Sequence, residues 1–151
     1  MPEKKTTDRA EQAKRAGKSP SSQAGEFVRE EVHHVREGKH GARSSKQAIA
    51  IGLSKARRAG VELPPPAKGK ASEETRKGAQ RAYEVGHGAT PGSKPSRKRS
   101  AASSEAMKRE PSAAASHRAL SRQARSVAAG KTAQERSAAA KKAAQTRKRA
   151  A

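Results

Sequence analysis

Three of the chain's five histidines, His33, His34 and His40, lie close in sequence to Glu30, Glu31 and Glu37. Imidazole and carboxylate together are the side chains of many metal centres, and Glu31-x-x-His34 has the half-site spacing of bundle-held di-iron carboxylate proteins. Such a centre needs further carboxylates from other helices and a dry core to hold them. Neither is visible in the sequence, and His/Glu pairs on an exposed helix face are ordinary solvated surface, so no metal ligand is expected. Serine and threonine abound, but no Gly-x-Ser-x-Gly, Gly-x4-Gly-Lys-Ser/Thr or His-Glu-x-x-His pattern occurs. Neither enzymatic activity nor a cofactor is expected.

Phosphate binding is the chemistry the residues favour more. Lys39, His40 and Arg43 lead into Ser44 or Ser45, each a good N-cap, and Ser44 with Gln47 has capping-box spacing. The amides of Ser45 and Lys46, the helix dipole and the side chains of Arg43 and Lys46 would converge on an anion there. The plainer reading is a capped helix start with solvated cations nearby. Lys55, Arg57 and Arg58 crowd the last turn of the same helix, where they suit the negative dipole end as well as an external anion. Further basic candidates are the run Arg97-Lys98-Arg99 and the C-terminal group Lys141, Lys142, Arg147, Lys148 and Arg149.

Charge makes polyanions the natural partner. The chain has 35 Lys and Arg against 14 Asp and Glu in 151 residues, a net +21. The excess rises from +3 over residues 1–43 to +9 over 101–151. Such a surplus repels itself in a compact state, and cationic excess brings nucleic-acid binding with it. Only 12 residues are Leu, Ile, Val or Phe, too few for a large enzyme core in so charged a chain. With no Trp, one Phe and one Tyr, the stacking platforms of sequence-specific single-strand RNA modules are excluded. Zero cysteines remove disulfides and thiolate zinc sites. No apolar run is long enough to span a membrane and no signal-peptide pattern opens the chain, so a cytoplasmic location is expected.

The elements that must carry these residues are helices. Asp8 and Glu11 suggest a short polar helix from Arg9 to Ala16, which lacks an apolar stripe and should fray. Ala24, Val28, Val32 and Val35, with Phe27 alongside, predict a helix over 23–37 ended by Gly38, whose opposite face carries Arg29, Glu30, His33, Arg36 and Glu37. A second helix over 45–59 presents Ile49, Leu53 and Ala56, widened by Ala48 and Ile51, and stops at Gly60. Pro64-Pro65-Pro66 stiffens the exit. Ser72 with Glu73 and Glu74 starts a third, light helix over 72–85. Residues 86–111 read as a mobile linker, and residues 112–151, with 15 Ala in 40 positions, as a basic tail that stays partly helical or disordered in water.

The block Lys39-His40-Gly41-Ala42-Arg43-Ser44-Ser45-Lys46-Gln47-Ala48-Ile49-Ala50-Ile51-Gly52-Leu53-Ser54-Lys55-Ala56-Arg57-Arg58-Ala59-Gly60 resembles the signature of a family of small basic bacterial proteins with an uncharacterised domain, loosely labelled plasmid-stabilisation or DNA-binding. The similarity extends over residues 20–85 and implies no catalytic residues. Residues 137–149 are similar in composition to the Lys/Ala tails of linker-histone-like proteins.

The expectation is therefore a mostly α protein: a polar N-terminal segment (1–19), a small helical hairpin with a third light helix (20–85), a linker (86–111) and a basic tail (112–151). It should bind DNA, largely without sequence specificity, through phosphate contacts, as a nucleoid- or plasmid-associated protein. The alternatives are an RNA- or ribosome-associated basic protein, or a protein-interaction module with a solubilising tail. The thin apolar supply makes homodimerisation through the hairpin a further expected source of stability; neither a membrane nor a small-molecule substrate is expected.

Overall fold

Serine caps and glycine stops divide the chain into helices, and the computed structural model, which describes residues 2–90 and 96–150, contains no strand among the described residues. The helices are α1 (Lys4–Arg15), α2 (Pro20–Arg36), α3 (Ser45–Arg58), α4 (Glu73–Gly86), α5 (Arg97–Arg109), α6 (His117–Ala129) and α7 (Ala133–Ala150), with a 3-10 turn at Ser112–Ala115. The mostly α class holds. The chain divides into two compact units, one ending at Ser116 and the other starting at His117.

Local signals place most ends. The Ser19 hydroxyl accepts the Ser22 N–H at 3.4 Å, and Pro20 occupies the first turn, where its missing donor costs nothing. Ser44 accepts the Gln47 N–H at 3.2 Å, while Gln47 Oε1 reaches back to the Arg43 N–H at 2.8 Å. Gly38 and Gly60 take positive φ at the ends of α2 and α3, and the amides just beyond them turn back to His34 and Ala56.

The core of the first unit forms where α1, α2 and α3 meet, from Ala10, Ala24, Phe27, Ala56 and Val61, with Leu53 and Leu63 packed against it. The stripe expected on α2 is buried at Ala24, Phe27, Val32 and Val35 and misses only at Val28, whereas on α3 it shifts toward the smaller residues. On α3 the buried line is Ser45, Ala48, Gly52 and Ala56, while Ile49, Ile51 and Leu53 are half-buried. On α2, Phe27, Glu31 and Val35 share the inner face and Val28 lies at its side. Close approach is the physical reason. A Cβ on Gly52 would lie 2.6 Å from Val28 Cα, so the helices cross nearer than large side chains permit.

Two segments expected to stand apart are built into this unit. α1 starts at Lys4 rather than Arg9, with Asp8 inside it, and buries Thr6 and Ala10 against α2. Its anchor is long-range: the Glu3 N–H donates to Glu30 Oε2 at 3.1 Å. The expected linker 86–111 contains α5, capped by Ser96; residues 91–95 lie outside the described residues. Beyond α5, Ala114 and Ala115 are buried against α2 and α3. The second unit consists of α6 and α7, helical where a partly ordered tail was expected. Thr132 and Glu135 form a capping box before α7, each accepting the other's N–H, at 3.2 and 2.8 Å.

Candidate functional site

The second helix places a carboxylate at the centre of a polar cluster. Glu31 follows Phe27 by four residues and precedes Val35 by four, so helical periodicity turns it inward, and it is 0% exposed. The Lys55 ammonium, from α3, stands 2.7 Å from Glu31 Oε2 and 3.2 Å from Glu30 Oε1. His40 Nε2, from the α2–α3 loop, lies 3.2 Å from Glu31 Oε1. Lys55 donates a hydrogen bond to Glu30, whereas the two contacts to Glu31 are charge contacts: neither Glu31 oxygen receives a hydrogen bond of good geometry. Burial alone would raise the Glu30 carboxyl, but the Thr6 hydroxyl, the Glu3 amide and Lys55 outweigh it and hold it below the usual range. Burial pulls Lys55 down, and the two carboxylates more than reverse this, so its ammonium is raised.

At the rim, Glu3 Oε1 lies 3.0 Å from His34 Nε2 and 3.5 Å from Lys39 Nζ. The His34 contact, followed by Lys39, lowers the Glu3 carboxyl. Lys39 also pairs with Glu37 at 3.2 Å, which raises its ammonium. Glu30 and Glu31 therefore do not belong to the exposed polar face on which apolar spacing set Glu30. The Phe27–Glu31–Val35 spacing was the available signal.

The loop expected to cradle phosphate is partly occupied by the chain itself. The Gly41 N–H donates to the Met107 carbonyl at 2.8 Å and the Ala42 N–H to the Pro111 carbonyl at 3.2 Å. Gly41 touches the Glu110 carbonyl so closely that no Cβ would fit. Arg36 Nε donates to the Ala115 carbonyl at 2.8 Å, and the Ser45 hydroxyl to the Ala114 carbonyl at 2.5 Å. Residues 107–115 thus cover the inner side of this loop, leaving Arg43 and Lys46 facing solvent.

The remaining candidate cations divide into two groups. Lys55, His40 and Arg57 are drawn inward. Arg57 is 7% exposed, and its guanidinium donates to the Leu63 carbonyl at 3.0 Å and to that of Pro64 at 3.3 Å. This pins the proline segment to α3, and burial pushes the guanidinium down from its ordinary value. Arg58, on α3, is exposed, as are Arg97, Lys98 and Arg99 in the first turn of α5 and Lys141, Lys142, Arg147 and Lys148 on α7. The side chain of Arg149 lies outside the described residues.

Fold and surface define a small basic helical protein whose cations are mostly solvent-facing and which buries two carboxylates, Glu30 and Glu31, on α2. Residues 11–68 match a family of unknown function, DUF6496. The matched span takes in the C-terminal end of α1, all of α2 and α3 and the proline segment, and stops before α4. It therefore starts and ends earlier in the chain than the 20–85 span that the signature suggested. No curated protein and no solved structure matches the chain. No helix among the described residues is long and apolar enough to cross a membrane.

Proposed function

We propose that the protein binds nucleic acid, chiefly duplex DNA, through phosphate contacts and largely without reading sequence. One observation carries the proposal: from residue 117 onward ten basic side chains accompany a single acid, on helices whose described cations are exposed. α7, which carries no apolar side chain larger than alanine, gains little by folding onto an apolar core, but a polyanion neutralises its self-repulsion and favours its propagation. On the first unit, Arg43, Lys46 and Arg58 with Arg97, Lys98 and Arg99 add cations that the fold leaves outside. Lys55 and Arg57 serve the fold instead, through the contacts described above. Association with nucleoid or plasmid DNA in the cytoplasm follows from this reading.

The mechanism is counterion release, so log K should fall linearly with log salt at about 0.9 per phosphate neutralised. Engagement of roughly eight phosphates gives a slope of about −7 on duplex DNA. Fluorescence anisotropy between about 50 and 200 mM salt tests this, and an isotherm indifferent to salt over that range would remove the proposal. Competition between duplex DNA and ribosomal RNA decides which polyanion is preferred.

A further inference from the structure

We propose that Glu31, His34 and His40 form a binding site for a divalent transition-metal ion of the zinc type, linking α2 to the loop that follows it. One potential ligand atom from each residue lies within 4.8 Å of the other two. The Glu31 side chain is fully buried, its Oε2 is paired with the Lys55 ammonium at 2.7 Å, and neither oxygen receives a hydrogen bond of good geometry. The two imidazoles are mostly covered, with side chains 14% and 19% exposed.

His40 supplies the second, independent observation. Its Nδ1 lies 3.1 Å from the Gly41 carbonyl oxygen, which can only accept, so Nδ1 carries the proton. In the neutral ring Nε2 is then a bare lone pair, and it faces a carboxylate oxygen of Glu31 at 3.2 Å. Two lone pairs do not hold one another at that distance without a cation between them: a proton on the ring or a shared metal ion. A ring nitrogen whose partner N–H is tied to a backbone carbonyl is the usual arrangement of a metal-binding histidine. Zinc bonds of about 2.0–2.1 Å in a tetrahedron place neighbouring ligand atoms roughly 3.3 Å apart, close to the His40–Glu31 separation.

Lys55 does not occupy the same position, since it contacts Oε2 and leaves Oε1 toward His40, while His34 Nε2 meets Glu3 Oε1 at 3.0 Å. The carboxylates of Glu3, Glu30 and Glu37 around Lys39 and Lys55 make this an acid-rich neighbourhood in a strongly basic chain. Two imidazoles and a carboxylate are a donor set suited to zinc, with the fourth position open to water or another donor. The bound ion would fix the loop from which Lys39 and Arg43 project, although the site stands independently of the nucleic-acid reading.

The test is titration of the full-length, untagged protein with Co2+, followed by its visible ligand-field absorption, and with Zn2+ by calorimetry. One equivalent should bind, and Zn2+ should displace the cobalt spectrum. His34→Gln and His40→Gln should each weaken binding by about 100-fold or more, beyond the effect of losing an outer-sphere partner. The triple variant His33→Gln, His87→Gln, His117→Gln should bind as the parent does. On the unaltered chain, Zn2+ should shield His34 and His40, but not His33, from diethyl pyrocarbonate, a readout that needs no variant to fold. Absence of saturable binding, affinity unchanged in either single variant, or failure to shield His34 and His40 would each overturn the proposal, leaving Lys55 and His40 as the groups that hold Glu31.

Discussion

At the scale of single residues, the fold depends on a few side chains that leave water completely. Phe27 is 0% exposed at the centre of the small core. Phe27→Ala should cost about 3–5 kcal/mol, read as a lower urea midpoint, a large part of the stability of so small a domain. A pH-sensitive contact ties α4 to the segment after α3. Glu62 accepts from Tyr83 Oη at 2.8 Å and meets His87 Nε2 at 2.9 Å, and the Tyr83 and His87 rings stack at 4.0 Å. The Tyr83 carbonyl, then Glu62, raises His87 above the ordinary imidazole value of 6.5. Tyr83 and His87 lower Glu62 below the ordinary carboxylate value of 4.5. The histidine contribution is complete below 6.5 and lost as pH rises through the raised value; the glutamate contribution is complete above 4.5 and lost as pH falls through the lowered one. Docking of α4 should therefore be strongest between those limits. Emission from Tyr83, the chain's one tyrosine, should change at both edges of the window, and His87→Ala should abolish the upper transition alone.

At the scale of elements, the crossing of α2 and α3 decides which side chains count as interior. Glycine at position 52 lets the backbones meet, and an added methyl would press on Val28 Cα and N at 2.6 and 2.9 Å, atoms that cannot rotate away. Gly52→Ala gains about 1 kcal/mol of helix propensity. Separating the helices costs about 1–3 kcal/mol, so the net effect should be destabilising in thermal or urea unfolding. Gly25, on α2, has no neighbour within 4 Å of an added Cβ, so Gly25→Ala should stabilise by up to about 1 kcal/mol in the same assay. The opposite signs of two identical substitutions measure packing against propensity. Helix positions were legible because serine caps and glycine stops act within a few residues: the expected spans 23–37, 45–59 and 72–85 differ from α2, α3 and α4 by at most three residues at either end. The buried face was less legible. Of the residues that apolar spacing marked on α3, Ala48 and Ala56 are buried but Ile49, Ile51 and Leu53 only half so, and the close crossing added Ser45 and Gly52.

At the scale of the whole molecule, charge and packing divide the chain differently. Deleting residues 117–151 removes ten basic groups and one acid, and the slope of log K against log salt on duplex DNA should become shallower by about 0.9 for each phosphate that is no longer neutralised. An unchanged slope would assign phosphate binding to the first unit alone. The polycationic character follows from composition by itself, since net charge is a sum that folding does not alter. The main helices are equally legible in the sequence, because their caps, stops and propensities are local. Tertiary structure alone decided that Lys55 and Arg57 serve the fold, and that residues 107–115 return to cover the loop after α2. These outcomes depend on contacts between residues as many as 79 positions apart. Such contacts arise from how closely helices approach and which backbone groups still need partners, neither of which a local pattern encodes.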